Sequence, residues 1–272
     1  MISSILLVLG CGVLAAALRS FRQPVLFTLG TLGMVATSFL AGWILGGSLV
    51  LGTVFALSWF LLPWVEILTR VRKLRLPIDR QLEACTPPAR SEFPDFSELS
   101  EEIESAGFEY CEDVRWQHEG IRQFYRFYYR AESRTAGTIC LIEQGPIAFY
   151  YVAMSSRTAD GQVFLTWNYP FSYGLHLPPK FSVNRASGDL SVSGLAAAHS
   201  AFLEKAAVGV EGLLPRTAEN IRMDVQSELR EQLDHNLNCG LLKRDGGEMI
   251  RYSARGMFFL WLEFLRDFVR IS

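Results

Sequence analysis

From Ile2 to Val65 the chain carries only two charged side chains, Arg19 and Arg22, and this tract limits the available folds more than any other feature. Three apolar stretches can be drawn in it, over 2–18, about 25–45 and about 49–68. A membrane-spanning helix needs roughly 17 to 25 apolar residues, so the first stretch is at the short limit and the other two reach across. In hydrocarbon each backbone amide must be satisfied within its own segment, which makes helix the expected conformation. As one helix, the run from Val25 to Val65 would extend about 60 Å, twice the hydrocarbon thickness. A break is required, and Gly46-Gly47-Ser48 supplies it because glycine turns at little cost. The expectation is a transmembrane region over 1–76 with three spans.

Charge sets the expected orientation. Arg19 and Arg22 lie between the first two spans, and Arg70, Arg72, Lys73 and Arg75 follow the third. With three spans both basic clusters fall on one side, which the positive-inside rule makes cytoplasmic; with two they would fall on opposite sides. The N-terminus and the Gly46-Gly47 turn are then expected outside, in a multi-pass protein of the cell (plasma) membrane, the bacterial inner membrane. Trp43 and Trp64 suit interfacial anchoring or packing alike. No basic residue precedes the first apolar run, which argues against a signal peptide or a lipoprotein site at Leu9-Gly10-Cys11. Gly10-x-Gly12-x-x-Ala15 imitates a dinucleotide fingerprint, but apolar sequence follows where a βαβ unit and an acidic residue are needed. Gly42-x-x-x-Gly46 allows close helix approach, in the hairpin itself, in a homo-oligomer formed through the membrane helices, or to no end. No ionisable residue sits inside an apolar span, which argues against an ion or proton path.

After Pro63 the third stretch turns mixed and is expected to stop before Pro77. Arg70, Arg72, Lys73 and Arg75 there form the candidate membrane-surface contact, each basic group worth about 1 kcal/mol near anionic headgroups. The same cluster also serves as a plain topology anchor. Residues 77–95, polar and holding Pro87, Pro88 and Pro94, read as a linker.

From 96 onward the sequence reads as one cytoplasmic α+β domain, an antiparallel β-meander packed with helices. A helix is expected over 96–106, capped by Ser97 and ended by Gly107. Strands follow over 122–130, 138–143, 147–154 and 162–167, with Gln123, Tyr125, Phe127 and Tyr129 sharing one face. Turns fall at Gln144-Gly145-Pro146 and Asp160-Gly161, and connections this short imply antiparallel neighbours. Helices are expected over 191–207, 219–237 and 256–271, with a hairpin over 241–252 turning at Asp245-Gly246-Gly247. The last helix is broadly apolar, flanked by Arg255, Arg266 and Arg270, and is expected in the domain core rather than on a bilayer surface.

The loop over 168–179 is dense in aromatics, and ligand sites favour loops held by a rigid sheet. Trp167, Asn168, Tyr173 and His176 are the candidate ligand or partner surface; the plainer role for such rings is to cover the end of the sheet. The four histidines stand far apart, no metal or cofactor motif is present, and neither a nucleophile elbow nor a phosphate loop occurs. Five cysteines without a C-x-x-C pair point to reduced thiols. A net charge of −2 argues against a dedicated nucleic-acid binder.

From Gly107-Phe108 through the strands, and again over Asn236-Leu237-Asn238-Cys239-Gly240-Leu241-Leu242 and Arg266-Asp267-Phe268-Val269-Arg270, the chain resembles a family of bacterial membrane-anchored proteins of unknown function. That resemblance implies no activity and no catalytic residues. The C-terminal third, a helix, a turn-centred hairpin and a helix, is similar to the wing region of winged-helix DNA-binding domains. Asp224, Glu228, Glu231 and Asp234 ahead of it would repel phosphate. The functional expectation is a membrane-tethered cytoplasmic binding or interaction module, with the lipid bilayer as first partner. The alternatives are a membrane-associated enzyme acting on lipid or envelope material, and a membrane-bound regulator using the wing-like segment.

Overall fold

Pro24, which has no N–H to leave unsatisfied, opens the second apolar helix, and Gly47, at φ +64°, ends it in the left-handed turn that glycine adopts freely. The structure is a computed structural model that describes residues 2–21, 23–89, 92–145, 147–171, 173–186 and 190–269; Arg22, Pro146 and Arg270 lie outside the described residues. Helices α1 (Ile2–Arg19), α2 (Pro24–Gly46) and α3 (Leu49–Thr69) form on the three apolar stretches. The Ser48 hydroxyl accepts from Val50 N at 3.2 Å, capping α3, so Gly47 and Ser48 alone join α2 to α3. Both α2 and α3 are long and apolar enough to cross a membrane, while α1 is shorter.

Small residues let these helices touch. A Cβ on Gly42 would lie 2.7 Å from the Leu51 carbonyl oxygen, and one on Gly30 would lie 2.5 Å from Arg19 N. The Gly42-x-x-x-Gly46 pair therefore faces α3 and serves the hairpin. Trp59 Nε1 donates to Ser38 Oγ at 2.7 Å, a polar contact between α2 and α3.

The chain divides into two compact units, the second comprising Leu76–Pro170 and Leu175–Asn236. In chain order its elements are β1 (Leu76–Pro77), β2 (Glu83–Ala84), α4 (Phe96–Ser105), β3 (Glu109–His118), β4 (Ile121–Arg130), β5 (Thr135–Gln144), β6 (Ile147–Arg157), β7 (Val163–Trp167), β8 (Phe181–Arg185), α5 (Val192–Lys205) and α6 (Ala218–Asn238). A seven-stranded sheet runs in the order β2-β3-β4-β5-β6-β7-β8. It is antiparallel as far as β7, with Glu119 and Gly120 both at positive φ in the tight β3–β4 turn. The purely antiparallel meander is corrected at β8, which pairs parallel to β7 and makes the sheet mixed. Residues 168–180 make that possible, since a parallel neighbour needs a connection of a dozen or more residues.

Alternation puts Tyr125 and Phe127 on one face of β4 and Phe124 and Tyr128 on the other, and all four are buried, so both faces of the sheet are covered there. Phe124, Tyr128, Ile139, Val152 and Met154 form the main core with Ile103 from α4 and Leu195 from α5. Helix α4 ends on Gly107 at φ +84°, with Phe108 N donating to Ile103 O at 3.3 Å and both side chains in that core. Its N-cap position is held by Asp95 rather than Ser97. Residues 77–95 are more than a linker: Glu83 and Ala84 pair with β3, and Phe93 enters the core. Helix α6 is tied to the sheet through charge, with Arg157 reaching Asp224 at 2.9 Å and Glu228 at 2.8 Å.

The other unit joins Met1–Arg75 with Phe171–Gly174 and Leu237–Ser272. It includes a 3₁₀ turn at Val71–Lys73, the hairpin β9 (Leu242–Arg244) and β10 (Met249–Tyr252), and helix α7 (Ala254–Val269). The segment 237–272 thus clusters with the apolar helices instead of with the sheet that precedes it. The physical reason is aromatic: Trp261 stacks on Trp64 with centroids 6.2 Å apart, and Phe268 stacks on Trp59 at 5.5 Å. The last helix finds its apolar partner on α3, not in the core of the sheet unit.

Candidate membrane-interface site

Helix α3 contains a proline close to where α7 docks. Pro63 withdraws the N–H that would meet Trp59 O, four residues back, and its ring crowds that carbonyl. The Trp261 indole donates to Phe60 O at 2.7 Å, beside that proline. Seven residues further along α7, the Arg19 guanidinium lies 4.9 Å from the Phe268 ring and 5.1 Å from the Phe27 ring. The Thr31 hydroxyl sits 3.0 Å from Phe27 O and 3.3 Å from Phe268 O and shares its one proton between them. Helix α7 therefore touches α3 through Trp261, α2 through Thr31 and α1 through Arg19. The contacts run from Arg19 at the end of α1 and Phe27 and Thr31 in the first third of α2 to Trp59, Phe60 and Trp64 in the middle and second half of α3.

This unit is the basic one of the two by sequence. The chain has 26 Lys/Arg and 28 Asp/Glu; this unit holds twelve of the former and five of the latter, a net of +7, which leaves fourteen and twenty-three, −9, in the sheet unit. Of the four residues expected at a membrane surface, Arg72 and Lys73 are exposed on the 3₁₀ turn. Arg70 is exposed and pairs with Glu66 at 3.2 Å. Arg75 is half-buried and engaged by Asp245, which also holds Arg251 at 2.7 Å, so Arg75 fastens the hairpin instead of facing outward.

The four residues proposed from sequence as a ligand surface are not gathered into one unit. Trp167 meets Tyr151 edge-on at 5.8 Å and Tyr169 at 5.4 Å. Asn168 extends the β6–β7 ladder, its Oδ1 accepting from Val152 N at 2.7 Å. The backbone of exposed His176 is held by the Asn236 amide, through bonds of 2.9 and 2.8 Å, and its ring lies within 4.8 Å of a ring nitrogen of His235. Tyr173 belongs to the other unit.

Sequence reasoning missed a buried polar group. His199 Nε2 lies 3.1 Å from Ser156 Oγ, and its Nδ1 lies 3.0 Å from Thr166 Oγ1. The Ser156 hydroxyl also lies 3.3 Å from Arg134 O and 3.3 Å from Thr135 Oγ1, so both ring nitrogens and the hydroxyls beside them have partners. A hydroxyl beside an imidazole is half of a nucleophilic pair. Here His199 is 1% exposed and Ser156 and Thr166 are 0%, so the group is a satisfied element of the core. Burial, with Arg130 and Arg216 nearby, holds the imidazole down to about 4. Burial likewise pushes the Cys140 thiol up to about 12 and, with Glu109 and Glu112, the Cys111 thiol to about 11, so neither is a thiolate at neutral pH. A cavity of about 130 Å³, lined in part by Cys85, Arg115, Trp116 and Gln123, is small beside the roughly 300–1,000 Å³ of ligand pockets, and its Arg122 is neutralised by Glu143 at 2.8 Å. Among known protein families, curated proteins and solved structures, none matches this chain.

Proposed function

We propose that this protein is anchored in the cell membrane by α1, α2 and α3, with its N-terminus and the Gly46-Gly47 turn outside, and that its sheet unit is a cytoplasmic binding or interaction module. The observation that carries the reading is exposure. Only 17% of the apolar window of α2 and 11% of that of α3 is buried within the chain. A core helix of a water-soluble protein has most of such a surface covered. Here Val25, Leu45, Val50 and Leu61 are each more than 60% exposed, and moving one such side chain out of water is worth about 1.5–3 kcal/mol. Lipid is the partner that covers apolar surface on every side of a helix.

The orientation rests on charge: Arg19 and Arg70 to Arg75 lie at one end of the helices, and the Gly46–Ser48 turn at the other carries none. The sheet unit's −9 suits a partner that is basic, and it repels the phosphates that a DNA-binding regulator would have to approach. Its histidine–serine pair is sealed in the core, which favours recognition over hydrolysis.

Paired reporter fusions test the topology, one active only in the cytoplasm and one only outside it, placed after Ser272 and within Gly46-Gly47. A cytoplasmic C-terminus with an external turn is the expected result. An external C-terminus would overturn the orientation and with it the cytoplasmic partner.

A further inference from the structure

We infer that α7 is an in-plane helix whose exposed stripe contacts the lipids of the cytoplasmic leaflet, with its arginines on anionic headgroups. The inference rests on the membrane reading above and adds a lipid-binding surface made by the C-terminal end of the chain.

Helix α7 presents three stripes. Gly256, Leu260 and Glu263, at i, i+4 and i+7, are buried. A Cβ on Gly256 would fall 2.1 Å from Leu241 O, so this stripe lies against the segment that leads into the hairpin. Trp261 and Phe268, seven apart, form the stripe that meets α3, α2 and Arg19. Arg255, Phe258, Leu262 and Arg266, at i, i+3, i+7 and i+11, form the third, and all four are exposed. Phe258 is 50% exposed and Leu262 40%, although each has protein-packed neighbours one residue or one turn away.

Two observations name what covers this stripe. The first is continuity: Trp261, next to Leu262, packs on Trp64 and Phe60 of a helix whose other faces are themselves apolar and exposed, so the apolar surface passes without interruption from α3 onto α7. The second is charge: Arg255 and Arg266 bound the apolar pair at either end of the stripe, Arg266 also pairing with Glu263, and Arg72 and Lys73 are exposed in the same unit. Apolar side chains bordered by arginines are the pattern of a helix lying at the headgroup boundary, its stems in hydrocarbon and its guanidinium groups at the phosphates. A second copy of the chain would have to bring a like-charged face against the unit's net +7, which disfavours a dimer through this surface.

The test uses the full chain in bilayer discs containing phosphatidylglycerol and phosphatidylcholine. A photo-crosslinking phenylalanine analogue replaces Phe258 in one sample, Leu262 in a second and Leu57 of α3 in a third, and adducts are weighed by mass spectrometry. Lipid adducts at 258 and 262, comparable in yield to those at 57, are expected. The ratio of anionic to zwitterionic adducts at 258 should exceed the bulk ratio and fall by about fivefold for Arg255→Gln, and by less for Arg266→Gln because Glu263 already meets Arg266. Adducts at 57 with none at 258 or 262 would overturn the in-plane helix and leave the membrane reading standing. No lipid adduct at any of the three sites would overturn both. A cross-linked dimer at 258 would show that a second copy, not lipid, covers the stripe.

Discussion

The buried imidazole of His199 makes the stability of the sheet unit depend on pH in a calculable way. In the folded protein the group is held down to about 4, against an ordinary value of 6.5. Unfolding releases it to take a proton whenever the pH is below that ordinary value, while the folded state declines the proton until about 4. The contribution is therefore fully present above pH 6.5 and is lost as pH falls from 6.5 towards 4. The interval corresponds to about 3 kcal/mol in all, of which about 2 kcal/mol is gone by pH 5. Other groups titrate over the same range, so the informative quantity is a difference between two proteins. His199→Gln keeps a polar side chain facing Ser156 and Thr166 but cannot titrate. Denaturant unfolding of both full-length proteins in the same detergent, at pH 7.5 and 5.0, gives four free energies. The wild type should lose about 2 kcal/mol more than the variant between the two pH values. Equal losses would show that the histidine is not shielded from protonation in the folded state, and the burial argument would fail.

Two further outcomes follow from local geometry. Helix α5 ends with Ala207 at φ +56°, Val208 N bonded to Leu203 O at 3.0 Å and Ala207 N to Glu204 O at 2.9 Å, the hydrogen-bond pattern with which α4 ends on Gly107. Ala207→Gly should raise stability by about 0.5–1 kcal/mol, measured by the same unfolding, because the left-handed conformation costs an alanine more than a glycine; a neutral or negative result would contradict the strained turn. Trp261→Phe keeps a ring against Trp64 but removes the donor to Phe60 O, and should weaken the docking of α7 by about 1 kcal/mol, read as faster amide exchange across α7 with no change in the sheet.

Elements whose own composition dictates them were legible in the sequence. The break at Gly46-Gly47-Ser48 lies where expected because glycine and serine are the residues that stop one helix and start the next. Strands β4 to β7 could be read from alternation and turn residues. Strand β3 escaped, since Glu109–His118 mixes charges on both faces and bulges near Cys111, so no two-residue period survives in it. Helix α7 could be recognised, but its partner could not: a broad apolar stripe says that something is buried, not whether a sheet or another helix buries it. The acidic side of α6 read as a surface that repels phosphate, whereas Asp224 and Glu228 turn inward to Arg157. His199, Ser156 and Thr166 were invisible because nothing in an alanine-rich helix announces which hydroxyls a distant strand will offer. Of the candidate surface, the sequence placed Trp167 and Asn168 correctly at the end of a strand but could not show that Asn168 is spent on the backbone of β6.

The order of these parts along the chain has a consequence of its own. The sheet unit is an insertion: apart from Phe171–Gly174, the chain is away from the apolar unit between Arg75 and Leu237, and only then supplies the helix whose tryptophan donates to Phe60 O. Separating two contacting helices by so long a stretch looks costly, yet loop-closure entropy grows only with the logarithm of length, about 0.6 kcal/mol for each doubling. One indole hydrogen bond to a carbonyl, two ring stacks and the contact of Arg19 with Phe268 are together larger than that increment. The insertion is thus tolerated because α7 brings concentrated aromatic and polar contacts to a place that α1, α2 and α3 leave incomplete. A C-terminal helix with the same apolar content but without Trp261 would lack the side-chain hydrogen bond with which α7 fixes itself to α3.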